Sequence, residues 1–219
     1  MGGKAQVREG DRHLAFLDAD VASLHSSSLL MGRFLSELMT FEDFLLGYRK
    51  SVFYPPNPKR FRREDAEKLR LMVCPSACKH VERIATLDVK EIRSRVKKLM
   101  EMASEKADRV YIDFPAGSPR MIRLATALAT ECDRIILILR PGRERLTAAV
   151  RAWESLKRLD PAPELAAVVI NMYEENEAID PETGMRWEDE VEAAFGLRPT
   201  IIPFDEAGNQ LPSGRRYLS

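Results

Sequence analysis

Short apolar runs separated by longer amphipathic stretches dominate the sequence. Each run is rich in Ile, Leu, Val or Ala, and each is followed by a polar, Pro or Gly turn. Runs of this length that end in turn residues are typical of buried parallel strands. The pattern predicts strands at residues 13–17, 69–73, 109–113, 134–139, 166–170 and 200–202.

The stretches between these runs carry apolar residues at helical spacing. In the first of them, Ile92, Val96 and Leu99 recur every three or four residues and define one face of a helix. Alternating strands and helices favour a three-layer, doubly wound α/β fold, with a mostly parallel sheet and helices on both faces. The helices are predicted at residues 89–107, 120–132, 145–159 and 187–195.

Length and composition indicate an ordinary globular protein. The 219 residues are enough for one sizeable core, which predicts a single domain over residues 1–219. Lys plus Arg and Asp plus Glu both number 34, so the net charge gives no strong signal for nucleic acid. No apolar run approaches the roughly 20 residues that span a bilayer. Residues 1–12 lack the apolar core of a secretion signal, so we expect a cytoplasmic protein.

Two local features have alternative interpretations. Residues 54–63 are Pro-rich and then basic, which predicts a surface loop, with a phosphate-binding patch as the alternative. Cys74 and Cys78 are interpreted either as buried thiols or as half of a metal site. A structural zinc site needs about four ligands, and the sequence has no second Cys pair.

Polar residues follow several of the predicted strands. Ligands bind such sheets at the carboxyl ends of the strands, so these residues are the candidates for chemistry. Asp18 and Asp20 follow the first strand, where they could hold a magnesium-bound water or act as cap and turn residues. Asp113 closes the third strand, with a Gly shortly after it, and Asn171 follows the fifth.

Segments that span almost the whole chain resemble, in the same order, the MinD/ParA group of deviant-Walker ATPases. Asp113-Phe-Pro-Ala-Gly117 is the most specific, because it resembles the "DtPAG" second switch of that family. Residues 14–20, Leu-Ala-Phe-Leu-Asp-Ala-Asp, resemble the "vlliDaD" strand and first switch. The other similar segments are residues 28–32, 39–47, 71–77, 132–141, 168–171 and 202–207.

The resemblance implies ATP and Mg²⁺ as cofactors and assigns roles to particular residues. Asp18, Asp20 and Asp113 would be the catalytic residues, and Asp20 and Asp113 would hold Mg²⁺. The implied nucleotide contacts are Gly117, Asn171, Pro203 and Asp205.

The sequence departs from this family at its N-terminus. Family members begin with a strand and a Lys-Gly-Gly-x-Gly-Lys-Thr loop, whose backbone amides cradle phosphates. Here Met1-Gly-Gly-Lys4 precedes residues that resemble the tail of the first helix. Residues 1–12 therefore read as a degenerate or truncated segment, in a fold that lacks the first strand, the phosphate loop and most of the first helix.

The missing loop sets the expected affinity for ATP. Each charge-assisted hydrogen bond to a phosphate contributes about 1.5–3 kcal/mol, and such a loop supplies several of them. Their loss lowers affinity by several powers of ten. We therefore expect ATP and Mg²⁺ binding by this chain alone to be weak or absent, and the chain alone to be inactive as an ATP hydrolase.

Three functional hypotheses follow. The first is a MinD/ParA-like protein with a degenerate or truncated nucleotide site, acting as a non-catalytic interaction or regulatory module in spatial positioning, partitioning or cell division. Its partner would be another protein or a paralogous ATPase, in a homodimer or heterodimer. The second is an active ATP-binding switch ATPase whose phosphate loop is lost by start-site truncation or supplied by a partner. The third is a thiol or metal protein that uses Cys74 and Cys78.

Overall fold

The computed structural model describes residues 13–21, 30–31, 37–48, 52–56, 71–115 and 121–204. The chain divides into two compact units, Met1–Glu131 and Cys132–Ser219. Among the described residues, each unit contains one three-stranded parallel sheet. Parallel strands alternating with helices are therefore confirmed, with the strands divided between two sheets. The single domain over residues 1–219 stays a prediction.

In the first unit, the strand that comes first in the chain lies in the middle of the sheet. The strand order is β2-β1-β3, and Leu14 of β1 pairs with both Leu71 and Arg109. All three strands run in one direction, so their carboxyl ends meet at one edge of the sheet. The strands are β1 (Leu14–Asp18), β2 (Leu71–Cys74) and β3 (Arg109–Asp113), and the helices are α1 (Phe41–Leu45), α2 (Val81–Ala85), α3 (Val89–Ser104) and α4 (Ile122–Ala129).

The core of the first unit includes residues of β1 and of the amphipathic helix α3. The side chain of Asp88 caps α3 by accepting a hydrogen bond from the backbone N–H of Lys90 at 2.8 Å. One face of α3 buries Ile92, Val96 and Leu99, as the spacing predicts. Burying a side chain of this size contributes about 1.5–3 kcal/mol.

In the second unit, the strand order follows the chain. The sheet order is β4-β5-β6, and its core includes Leu139, Leu146, Ile170 and Val191. Gly196 ends the last helix in the left-handed region, with φ +70°, which a glycine adopts without strain. The elements are β4 (Arg134–Leu139), β5 (Glu164–Tyr173), β6 (Thr200–Pro203), α5 (Arg143–Leu156) and α6 (Trp187–Phe195).

The structure differs from the sequence prediction mainly at element ends. Strand β5 continues to Tyr173, through residues that the sequence pattern assigns to a turn. Helices α1 and α2 were not predicted, because five residues are too few to show a helical period. Residues 1–12 and most of the loop predicted at 54–63 lie outside the described residues. In the part of the chain that is described, no helix is long and apolar enough to cross a membrane.

Candidate functional site at the strand ends

Two of the predicted site residues lie side by side in the first unit. Asp18 and Asp113 are the last residues of β1 and β3, and they are register partners in the sheet. The backbone N–H of Ala19 donates to the carbonyl of Asp113 at 2.9 Å. The backbone N–H of Asp20 donates to Oδ1 of Asp18 at 3.2 Å. The structure therefore brings these three carboxylates to one edge of the sheet, and their catalytic and magnesium-binding roles stay predictions.

A fourth carboxylate, Glu42 of α1, occupies the loop that follows β2. Glu42 is fully buried, and its Oε1 accepts hydrogen bonds from Ser76 Oγ at 2.8 Å, Ala77 N–H at 2.9 Å and Lys79 N–H at 3.2 Å. Converging backbone amides of this kind form an anion-binding concavity. In this chain the anion is the protein's own side chain, so these amides are already engaged.

The neighbouring residue, Asp43, holds the side chain of Lys79. Lys79 Nζ lies 2.6 Å from Oδ2 of Asp43, which also accepts from the N–H and hydroxyl of Thr40 at 2.9 and 3.1 Å. Burial would raise the pKa of Asp43, but the hydrogen bonds from Lys79 and Thr40 outweigh it and keep this pKa below its ordinary value. The positive charge of Lys79 is thus neutralised within the protein.

The two cysteines near this loop are not in a reactive form. Burial, together with the nearby charges of Glu42 and Asp18, raises the pKa of the Cys74 thiol well above its ordinary value. Burial and Glu42 likewise raise the pKa of Cys78 to about 11. Because the thiolate is the nucleophile, both environments disfavour nucleophilic thiol chemistry near neutral pH.

In the second unit, Asn171 lies near the end of β5 at an irregular position. Its Oδ1 accepts a hydrogen bond from the N–H of Met172 at 2.9 Å. Met172 has φ +55°, and the pairing of β5 with β6 shifts register between Asn171 and Tyr173. The next register pair joins Tyr173 to Pro203, another predicted contact. The amide nitrogen of Asn171 is the group left to donate to a ligand.

Beside Asn171, a buried polar network fixes the end of β5. Tyr173 donates its hydroxyl to the carboxylate of Glu188 at 2.9 Å and accepts from Arg186 Nη2 at 2.8 Å. Burial and the hydrogen bond with Glu188 raise the pKa of Tyr173 to about 12. Burial opposes ionisation of Glu188, but hydrogen bonds from its own backbone N–H, Tyr173 and Arg186 lower its pKa. This network stabilises the fold and holds the backbone next to Asn171.

The described residues of the first unit do not fit a triphosphate by themselves. Phosphates are bound by backbone amides, Lys and Arg. Here the strand ends carry the carboxylates of Asp18, Asp20 and Asp113. Glu42 accepts hydrogen bonds from two loop amides, and Asp43 forms an ion pair with Lys79. Among the described residues, no group of three or more His, Cys, Asp or Glu is arranged to hold a metal ion. Gly117 and Asp205, two of the predicted nucleotide contacts, lie outside them.

Sequence reasoning missed Glu42, Tyr173 and Glu188 as site residues. The donors to Glu42 lie 34 to 37 positions further along the chain, so no local pattern reveals them. The sequence carries one usable signal, Thr40 followed three residues later by Asp43, which is a variant of the capping box.

Parallel strands that alternate with helices define an open α/β fold, in which ligands bind at the carboxyl ends of the strands. No protein-family model matches the sequence, and no curated protein matches it. Among solved structures, it is similar to the cell division ATPase MinD of Pyrococcus furiosus, with TM-score 0.63 and 22% identity over 91% of this chain and 73% of that one. These similarities show that the chain has the fold of the MinD and ParA ATPases.

Two further structures support the same fold. A ParA family ATPase from Chlorobium tepidum matches with TM-score 0.61 and 19% identity, over 92% of this chain and 75% of that one. The MinC:MinD cell division complex of Aquifex aeolicus matches with TM-score 0.61 and 16% identity, over 90% of this chain and 71% of that one.

Proposed function

We propose that this chain is a MinD/ParA-like interaction or regulatory module that does not bind ATP tightly by itself. The observation that carries the proposal is the state of the loop after β2. Two of its amides and its lysine are bound by Glu42 and Asp43, and the neighbouring strand β1 ends at the carboxylate of Asp18. A triphosphate would meet negative charge there, with few donors left to hold it.

The proposed role is protein binding in spatial positioning, partitioning or cell division. Two of the similar structures are cell division proteins, and one of them is a complex of MinD with MinC. The partner of this chain would be a protein of that kind or a paralogous ATPase, and the assembly would be a homodimer or a heterodimer.

Isothermal titration of the purified chain with ATP and Mg²⁺ tests the proposal. We expect no saturable binding tighter than roughly 1 mM, which corresponds to about −4 kcal/mol. The matched control is Asp113→Asn, which removes a strand-end charge and should leave the titration flat. Micromolar binding by the wild-type chain would overturn the proposal, and its loss in Asp113→Asn would place the nucleotide at the strand ends.

The second candidate function is an active switch ATPase whose phosphate loop comes from a partner or from sequence ahead of residue 1. The observation that favours it is the position of β3, which carries Asp113 and pairs on one side only among the described strands. A further strand beside β3 would place a following loop next to Asp113. In that case Asp20 and Asp113 would hold Mg²⁺, which are the roles that the family resemblance implies for them.

Reading the DNA upstream of the Met1 codon separates the two candidates. An in-frame strand followed by Gly-Lys-Thr would favour the ATPase. A stop codon directly upstream would leave a partner as the only source of the loop, and ATP hydrolysis by a mixture with a paralogous ATPase would then be the decisive assay.

The third candidate is a thiol or metal protein. Its thiol form is disfavoured by the raised pKa values of Cys74 and Cys78, and among the described residues no group of three or more His, Cys, Asp or Glu supports its metal form. Metal analysis of anaerobically purified protein tests it directly. A stoichiometric transition metal that is lost in Cys74→Ser would restore this candidate.

A further inference from the structure

The sheet of the second unit has one face on which large apolar side chains are exposed. Ile136 and Ile138 of β4 are 52% and 67% exposed, and Ile202 of β6 is 47% exposed. On the opposite face of β4, Ile135 and Leu139 are buried. Because successive side chains of a strand point to opposite faces, this sheet has a covered face and an open face.

The strand register shows which other side chains belong to the open face. Ile136 of β4 pairs with Ala167 of β5. Ile138 pairs with Val169, which pairs in turn with Thr200 of β6. Register partners in a sheet point to the same side. The open face therefore includes Ile136, Ile138, Ala167, Val169, Thr200 and Ile202.

The charges on these strands are few and already paired. Strands β4, β5 and β6 contain only two charged residues, Arg134 and Glu164. Arg134 Nε lies 3.2 Å from Glu164 Oε2, so the two charges offset each other. The strands therefore offer no unpaired charge to a nucleic acid or a charged peptide, and the open face complements an uncharged apolar surface.

The dimensions of the open face match a single helix. Neighbouring strands lie about 4.8 Å apart, so β4 and β6 are about 10 Å apart across β5. Alternate residues of one strand, such as Ile136 and Ile138, are about 7 Å apart. An α-helix is about 10 Å wide and carries its apolar stripe at every third or fourth residue. A stable interface between two copies of the chain needs about 800 Å² from each copy, which is several times larger than this patch.

We propose that the open face binds an amphipathic helix of a partner protein, whose uncharged apolar stripe packs on Ile136, Ile138 and Ile202. Parallel sheets are normally buried on both faces, and helices are the layer that covers them. The inference gives the proposed interaction module its binding surface. It rests on that proposed function only for the existence of a partner protein, and it uses no residue of the first unit.

Fluorescence anisotropy of labelled designed peptides tests this inference on the full chain. The probe is a helical peptide with Leu at positions i, i+3, i+4 and i+7 and with equal numbers of Lys and Glu elsewhere. Its control has the same composition in an order that lacks the stripe. We expect the striped peptide to bind at least tenfold more tightly than the control. Ile136→Lys and Ile138→Lys should each weaken its binding about tenfold, because each places a charge in the apolar contact.

The matched protein control is Ile179→Lys, which makes the same change of charge in the second unit. Ile179 is 57% exposed and lies between β5 and α6, outside the sheet. This variant should bind the striped peptide as the wild type does. Because Ile136, Ile138 and Ile179 are all exposed, the three variants should keep the wild-type melting temperature.

Three results would overturn the inference. The first is equal binding of the striped and control peptides, and the second is an equal loss of binding in Ile138→Lys and Ile179→Lys. The third is a dimer in sedimentation velocity that Ile138→Lys dissociates, because a second copy would then occupy the face. Micromolar binding in the ATP titration would overturn the proposed function and leave the peptide result standing, so the two failures are distinguishable.

Discussion

The two parallel sheets differ in how far their faces are covered. In the first unit, Ala15, Leu17 and Asp18 of the central strand β1 are at most 1% exposed. In the second unit, register places Ile136, Ile138 and Ile202 on one face, at 52%, 67% and 47% exposure. Parallel sheets are normally buried on both faces. The second sheet therefore has a face that a further layer of polypeptide would cover.

Asn171 is a register partner of Ile202 and so belongs to this same exposed face. The first unit differs, because carboxylates lie at the ends of its strands and Glu42 accepts hydrogen bonds from the protein's own amides. The first unit therefore has polar groups that are paired within the protein, and the second unit has an exposed apolar face.

Paired truncations in the two units should give the largest difference. Leu99→Ala removes a fully buried side chain of α3 and should lower the free energy of unfolding by about 2–5 kcal/mol. Ile138→Ala removes a 67% exposed side chain and should change it by about 0.5 kcal/mol or less. Urea denaturation followed by circular dichroism measures both. Equal losses would mean that the face carrying Ile138 is covered.

The loop after β2 should respond strongly to loss of its internal anion. Glu42→Ala removes the charged acceptor of Ser76 Oγ and of two part-buried backbone amides and should cost about 1.5–3 kcal/mol of stability. Glu42→Gln should cost less, because the carboxamide oxygen still accepts and its NH₂ replaces an oxygen, Oε2, that has no hydrogen-bond partner. Exposed Glu101 in α3 provides the control, Glu101→Ala. If Glu42→Ala costs no more than this control, the loop does not depend on Glu42.

A smaller effect should appear in the acid range. The folded pKa of Asp43 lies below its unfolded value, so the stabilisation by its contacts with Lys79 and Thr40 is present above about pH 4 and is lost as pH falls through the folded pKa. Asp43→Asn should therefore be about 1–2 kcal/mol less stable than wild type at neutral pH, and the gap should narrow below about pH 4. Urea midpoints measured across this range check the sign. A gap that widens on acidification would contradict it.

The sequence predicts much of the fold because its signals are local. Strands β3 and β4 and helix α6 have the bounds that their apolar runs and periodicity predict. The predicted end of β5 was wrong. Asn is common in turns, but pairing with β6 extends the strand through Asn171 to Tyr173. The position of the carboxylates at the ends of β1 and β3 could be predicted, because the carboxyl ends of parallel strands meet at one edge of a sheet. The partners of Glu42 could not, because tertiary contacts alone bring α1 to the loop after β2.

The central claim is that the loop after β2 does not bind phosphate, because Glu42 and Asp43 already bind its amides and its lysine. Hydrogen exchange tests this claim most directly. The amides of Ala77 and Lys79 donate to Glu42, and β3 ends at Asp113 on the other side of β1 in the same sheet. We predict that millimolar ATP with Mg²⁺ leaves exchange in residues 75–80 and 111–115 unchanged. Slower exchange of either segment on adding the nucleotide would show that the site holds phosphate and would contradict the claim.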